Sequence, residues 1–401
     1  MLKRNLLLAL VPIALLIGVH TPAALAEPVR VEMRRPAAPT ATVIEDGRTE
    51  TRLLRVGHIP AVMATINGKG PYLFAVDTGT SASLLVDSAF AEEHGFEVVG
   101  EMTARDGMSG AEVPMSLMEV GTLEIGGARF EGLVGSSHDF SPIATALGAD
   151  MAGIIGFGLF ADCVFTIDFP RNVLVIEEGV ALSSKDAGVV PLVAGVGIAD
   201  IPIEINGQQR RTHIDTGSRG GVTIAHEYFE SLEFSTEPKV AGRGRTVASS
   251  FDIVEADLVG TLTIAGFTLD NPPLMTTNIM DHGNVGMQLL SNFALTFDQR
   301  NSLMRFERPR GAGPLKIKEH RKRLGIQPSI RGDHVVLEAV MPNSPGFEAG
   351  LRKGDRIVAI NGKPIAELRG PALGKEMRVR PSIVFVVERE GKERAITVTM
   401  E

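Results

Sequence analysis

Two short runs carry residues able to do chemistry together: Ala75-Val76-Asp77-Thr78-Gly79-Thr80 and His213-Ile214-Asp215-Thr216-Gly217-Ser218. Each places an aspartate at the end of an apolar strand-like stretch, where a solvated turn residue would ordinarily sit. A single copy would say little. Two copies at matching positions of a repeat would face each other across a pseudo-two-fold axis. Two carboxylates sharing a site cannot both ionise easily, so the pair keeps one proton over a broad pH range. Such a pair can activate a water between them: one carboxylate takes its proton while the other donates to the carbonyl under attack. That chemistry needs no metal, no cofactor and no covalent intermediate.

The elements that must position the two aspartates recur in order. Ile66-Asn67-Gly68 is matched by Ile205-Asn206-Gly207, and Val120-Gly121-Thr122-Leu123 by Val259-Gly260-Thr261-Leu262. Gly156 with Thr166 and Asp168 is matched by Gly286 with Thr296 and Asp298. The offset between Asp77 and Asp215 is 138 residues, far too long for a solenoid repeat and right for a duplicated lobe. The boundaries read as 53–180 and 186–308. Each lobe opens with a hairpin closed by Asn-Gly and continues as Gly-bounded strands, with short helices only near Ser88–His94 and Ala225–Leu232. Strands do not alternate with long helices, which argues against a parallel α/β sheet.

This pattern resembles the pepsin-like and retroviral-type aspartic proteases over about 53–308. The resemblance rests on the two Asp-Thr-Gly runs and on Ile154-Ile155-Gly156 and Asn284-Val285-Gly286, the elements that in this family thread behind each Asp turn. It implies a bilobal pair of β-barrels with Asp77 and Asp215 as the catalytic dyad. Thr78 and Thr216 would interlock the turns by their hydroxyls. Gly79 and Gly217 would allow close backbone approach, and Thr80 and Ser218 would donate hydroxyls to the carboxylates. Asn284 stands where the family has an apolar residue. The only tyrosines, Tyr72 and Tyr228, lie outside any flap position, so the flap role falls to the glycine-rich Gly107-Met108-Ser109-Gly110, with 241–245 as its lobe-two counterpart. His213 shares a strand face with Asp215. It reads either as a wall of the substrate pocket, cationic towards acidic side chains, or as a core histidine satisfied by backbone.

Beyond residues 309–314, a Pro/Gly linker, residues 315–401 resemble a bacterial PDZ domain. The signature is Ala349-Gly350-Leu351, Gly354-Asp355 and Asn361-Gly362. The resemblance implies that Leu324-Gly325-Ile326 offers backbone N–H groups to a peptide's terminal carboxylate, next to Lys322 and Arg323, while the peptide adds a strand to the sheet. The fold class is therefore all-β: two protease-like lobes, then a small β-sheet domain with short helices.

At the other end, Lys3 and Arg4, the apolar run Leu6–Val19 and Ala24-Leu25-Ala26 have the order of a secretory signal, so 1–26 reads as a cleaved signal and 27–52 as a flexible leader. The mature chain is then exported, periplasmic or secreted, without a membrane span. Loss of two basic residues takes the net charge from −8 to −10, which disfavours nucleic acid as a partner. One cysteine, Cys163, excludes a disulfide framework and a multi-cysteine metal site, and reads as a buried, inert thiol. No His-Glu-x-x-His or Gly-x-Ser-x-Gly occurs. The expected partners are polypeptide substrates and a C-terminal peptide on the PDZ module; no metal or cofactor is expected. The alternative reading is a non-catalytic peptide-binding scaffold on the same folds.

Overall fold

Asn67 and Gly68 both adopt positive φ (49° and 73°), as do Asn206 and Gly207 (50° and 78°). Two successive left-handed residues twist a turn in the sense of its flanking strands, which is why Asn-Gly closes these hairpins. They join Ile59–Ile66 to Lys69–Asp77 and Asp200–Ile205 to Gln208–Ile214. The asparagines do more than turn the chain. Asn67 donates to the Val120 carbonyl (2.7 Å) and accepts from the Thr122 amide (2.9 Å). Asn206 does the same with Val259 (3.1 Å) and Thr261 (2.8 Å). Each pair of bonds clamps the intervening glycine, Gly121 or Gly260, so tightly that a Cβ there would lie 2.6 or 2.0 Å from the asparagine oxygen. The co-occurrence of the two repeated motifs thus has one physical cause.

The computed structural model describes residues 38–105, 110–179, 182–193, 197–245, 250–278, 280–317, 324–331, 333–342, 344–368, 370–377 and 381–399. Each lobe has its own nine-stranded sheet, and a third, six-stranded sheet is shared between them. Its order is Val189–Pro191, Leu303–Glu307, Ala294–Asp298, Val164–Asp168, Val173–Glu177, Arg48–Arg52. The central pair is antiparallel with Thr166 opposite Thr296, their hydroxyls 2.9 Å apart. Phe165 stacks on Phe297 (4.6 Å) and on Phe160 (4.2 Å), joining the apolar interiors of both lobes. Stacked aromatic pairs add about 1 kcal/mol beyond area burial. Asp298 of the repeated Thr-x-Asp is fully buried and accepts from the Leu182 amide and the Asn301 side chain, so this aspartate closes a turn.

Two boundaries differ from the sequence reading. The assignment of 27–52 as a flexible leader is corrected: Ala41–Ile44 pairs with the strand Ala128–His138, and Arg48–Arg52 forms an edge of the shared sheet. The stretch Arg-Thr-Glu-Thr-Arg lacks apolar alternation because it gains its place by backbone pairing and surface ion pairs to Glu177 and Arg171. Residues 1–37, with the signal assignment, lie outside the described residues. Leu315 and Ile317, placed with the PDZ segment by sequence, pack instead on the shared core of the two lobes.

The C-terminal part is a separate sheet of six strands over its own core of Leu324, Leu337, Leu351, Ile357, Phe385 and Val387. Asp355 of the Gly-Asp signature is buried and gripped by Arg389 through two bonds of 2.6 and 2.7 Å, so its role is structural. The helix Pro371–Glu376 rests on the lobe-one helix Ser141–Leu147 at a contact only glycine permits: a Cβ on Gly374 would lie 1.9 Å from the Thr145 carbonyl. Among the described residues no helix is long and apolar enough to cross a membrane.

Candidate active site

Each aspartate is delivered by a strand and backed by a second strand running parallel to it. Gly153–Gly156 pairs with the end of Lys69–Asp77, setting Gly156 opposite Asp77. Gly283–Val285 pairs with Thr212–Ile214, and the Asp215 amide donates to the Val285 carbonyl at 3.0 Å. The threading strand must pass under the Asp turn without a side chain. A Cβ on Gly156 would lie 2.0 Å from the Ala82 carbonyl, and one on Gly286 would lie 2.6 Å from that of Gly220.

The two turns then cross. A Cβ on Gly79 would sit 2.7 Å from the Asp215 carboxyl carbon, and one on Gly217 would sit 2.7 Å from Asp77 Oδ2. Each glycine therefore lies flat against the other lobe's carboxylate. The hydroxyls of Thr78 and Thr216 lock the crossing. Thr78 donates to the Ile214 carbonyl (2.5 Å) and accepts from the Thr216 amide (3.2 Å); Thr216 donates to the Val76 carbonyl (2.8 Å) and accepts from the Thr78 amide (3.1 Å). Both side chains are buried.

Around the carboxylates the lobes differ. Asp77 accepts from the Gly79 amide (2.9 Å) and the Thr80 hydroxyl (3.0 Å). Asp215 accepts from the amides of Gly217 and Ser218 (both 2.9 Å) and from Asn284 Nδ2 (2.7 Å). The role given to the Ser218 hydroxyl is thereby corrected: that oxygen accepts from the Gly220 amide, and Asn284 supplies the donor instead. Burial first, and then the Asp77 charge, push Asp215 up to about 7, while the Asn284 and Ser218 donors pull it down.

Asn284→Val removes a donor to the charged form, worth about 1.5–3 kcal/mol, so the alkaline limb of the pH–rate profile should move up by about one unit or more. Ser218→Ala leaves the amide in place and should leave that limb where it is. Steady-state rates across pH for both variants check the pair.

His213 has a partner that neither sequence reading supplied. Its Nδ1 meets the buried Asp200 carboxylate, which also takes Arg211. Its ring lies 4.2 Å from that of His282 and lines a cavity of about 460 Å³ with Arg210, Tyr228 and Gly283. The carboxylate it serves is thus Asp200. The strands Glu97–Arg105 and Glu112–Ile125 form the hairpin that carries the flap candidates. Gly110 is at φ 67°, while Gly107, Met108 and Ser109 lie outside the described residues. Burial pushes the Cys163 thiol up to about 12, so it is inert. Among the described residues no cluster of three or more His, Cys, Asp or Glu side chains could hold a metal ion.

In the C-terminal domain Gly325 has φ 68°, and a Cβ there would strike Ser344. The carbonyls of Leu324 and Gly325 are taken by the amides of Gly346 (2.8 Å) and Met341 (2.7 Å). Ile326–Arg331 pairs on one side with His334–Val340 and ends the sheet, leaving its other edge without a strand among the described residues. Neither Asn284's target nor His58, which reaches from lobe one to the Gly217 carbonyl at 2.9 Å, was legible in the sequence. The one signal for the former was a polar residue at an otherwise apolar repeat position.

The aspartyl protease family matches residues 62–158 and 201–289, and the PDZ domain family matches 336–389. Shorter similarities reach curated proteases. These are the "Probable protease eep" of Enterococcus faecalis (39% identity over 62 residues, 16% of this chain and 15% of that protein) and a "Probable periplasmic serine endoprotease DegP-like" of Marinomonas sp. (38% over 74 residues, 18% and 15%). A third is the "Regulator of sigma-E protease RseP" of Escherichia coli (36% over 80 residues, 20% and 17%). This chain thus spans 15–17% of the length of these relatives.

Proposed function

Starting from a chain that combines two aspartyl-protease segments with a PDZ domain, we propose that it is an exported aspartic endopeptidase whose dyad is Asp77 and Asp215. The observation that carries the reading is the crossing of the two turns, with each lobe's glycine against the other's carboxylate. Asp215, pushed up to about 7, holds the shared proton below neutrality. A water between the carboxylates gives its proton to Asp77 as its oxygen attacks the peptide carbonyl, and Asp215 passes its own proton to the carbonyl oxygen. The tetrahedral diol then collapses: the C–N bond breaks, the amine takes the proton from Asp77, one diol hydroxyl returns its proton to Asp215 as the C=O re-forms, and an acid and an amine leave. Thr80 and Asn284 orient the carboxylates. Above about pH 7 Asp215 loses its proton and the proton donor is gone, so activity should fall on that side.

The matched stretches of the serine-type and sigma-E proteases cover a small share of those proteins, so their catalytic types do not transfer. The periplasmic address in one relative's name agrees with the basic-then-apolar start of this chain. The test is digestion of a denatured protein mixture at mildly acidic pH, with and without pepstatin. Fragments suppressed by pepstatin are expected. Fragments stopped only by a serine reagent or a chelator would overturn the aspartic reading, and no fragments would favour a scaffold.

The PDZ module would take a peptide C-terminus along the open edge of Ile326–Arg331. Deleting residues 318–401 keeps Leu315 and Ile317 on the protease core, so kcat/KM on short peptides should stay within about threefold. Proteins whose free C-termini engage the module should be cut more slowly. A folded truncation that is inert even on short peptides would make the module structural.

A further inference from the structure

Arg219 follows the second Asp turn directly, and a residue from the opposite lobe holds its guanidinium. His58 Nε2 lies 2.9 Å from the Gly217 carbonyl, and Arg219 Nε lies 3.4 Å from His58 Nδ1. A carbonyl only accepts, so Nε2 carries the proton. Nδ1 then presents a lone pair to the arginine. The bridge runs from the lobe-one turn Gly57–His58 to the lobe-two turn Asp215–Ser218, which places it between the lobes beside the dyad. Gly217, whose carbonyl anchors it, is the residue that lies against the Asp77 carboxylate.

Among the described residues no carboxylate lies within ion-pair distance of Arg219, whose side chain is exposed. Arg211 and Arg389, by contrast, are matched to Asp200 and Asp355. With Nε committed to His58, the two terminal nitrogens of Arg219 remain as a planar pair suited to bidentate binding of a carboxylate. We propose that Arg219, oriented by His58, is a specificity residue that selects substrates bearing a carboxylate within a few residues of the cleaved bond. This rests on the endopeptidase reading and narrows its substrate class to acidic peptides.

The carboxylate could be an Asp or Glu side chain or a nearby free C-terminus, and matched peptides separate the two. One series replaces Glu by Gln at each position near the cleaved bond; the other compares free with amidated C-termini. The wild-type enzyme should favour the carboxylate member of one series by about tenfold or more in kcat/KM, since hydrogen bonds to charged groups are among the strong ones. Arg219→Gln should bring that ratio to about one. Arg219→Lys, which keeps a point charge without the fork, should retain part of it. A wild-type enzyme that cleaves both members equally, or an Arg219→Gln variant that keeps the ratio, would overturn the proposal. If no peptide is cleaved, the endopeptidase reading falls, and calorimetric binding of the same pairs decides the Arg219 question: equal affinities would overturn it.

Discussion

Asp77→Asn and Asp215→Asn should each lower kcat by at least about a thousandfold, and the double variant should be little worse than either alone. On the proposed mechanism the two aspartates act as one acid–base unit, so losing either member loses the function of both. The substitutions are isosteric, and the turns tolerate them unequally. At position 77 the amide NH2 would face the Thr80 hydroxyl, now 3.0 Å from Oδ2, which can rotate to accept. At position 215 it would face the Asn284 NH2 across the present 2.7 Å contact, two donors nose to nose, until the Asn284 amide flips. Stability distinguishes Asp215→Asn further. Because folding raises the Asp215 pKa to about 7, the folded chain keeps a proton that the unfolded chain releases above about pH 4. Wild-type stability contributed by this group therefore falls as pH rises from about 4 to about 7. The asparagine variant lacks that slope and should gain on the wild type across that window. Urea denaturation at several pH values, beside the kinetic assay, checks both statements. Substantial activity in either single variant would remove the dyad assignment.

Thr216→Val should cost about 2–6 kcal/mol, a large share of a typical total of about 5–15. The change is nearly isosteric, so the cost comes from hydrogen bonding. The Val76 carbonyl loses its donor and the Thr78 amide loses its acceptor, both in a dry crossing. Each orphaned group costs about 1–3 kcal/mol. Thr78→Val strands the Ile214 carbonyl and the Thr216 amide in the same way. Serine at either position keeps the hydroxyl and should recover most of the loss. Denaturant midpoints of the four variants decide the matter; valine variants within about 1 kcal/mol of wild type would show that the hydroxyls are not what holds the turns together.

What could be read from the sequence was whatever had a local cause and occurred twice. Asn67-Gly68 and Asn206-Gly207 announce hairpins because only such residues tolerate the left-handed turn, and the paired Asp-Thr-Gly runs announce each other. Features set by a distant partner were hidden. The alternating Arg48–Arg52 stretch has no apolar face to betray a strand, because its partners are the backbone of Val173–Glu177. Ser218 looks equivalent to Thr80 in sequence, yet its hydroxyl turns to Gly220, since Asn284 already occupies the outer oxygen of Asp215. Asp200 and His213 are 13 residues apart, and only the register of their hairpin brings them together.

The two lobes meet at two points where like faces like: Thr78 against Thr216, and Thr166 against Thr296. Contacts between equivalent residues are the signature of an isologous, two-fold interface, the kind by which identical subunits dimerise. A dimer of identical halves is bound by its symmetry. Any residue placed beside one aspartate appears beside the other, and the two carboxylates must share their proton without preference. Joining the halves in one chain lifts that constraint. Ile154 can stay apolar behind Asp77 while its counterpart Asn284 reaches Asp215. Only one half need carry Arg219. The covalent link thus lets two-fold symmetry give way to a division of labour, in which one aspartate can be tuned without disturbing the other.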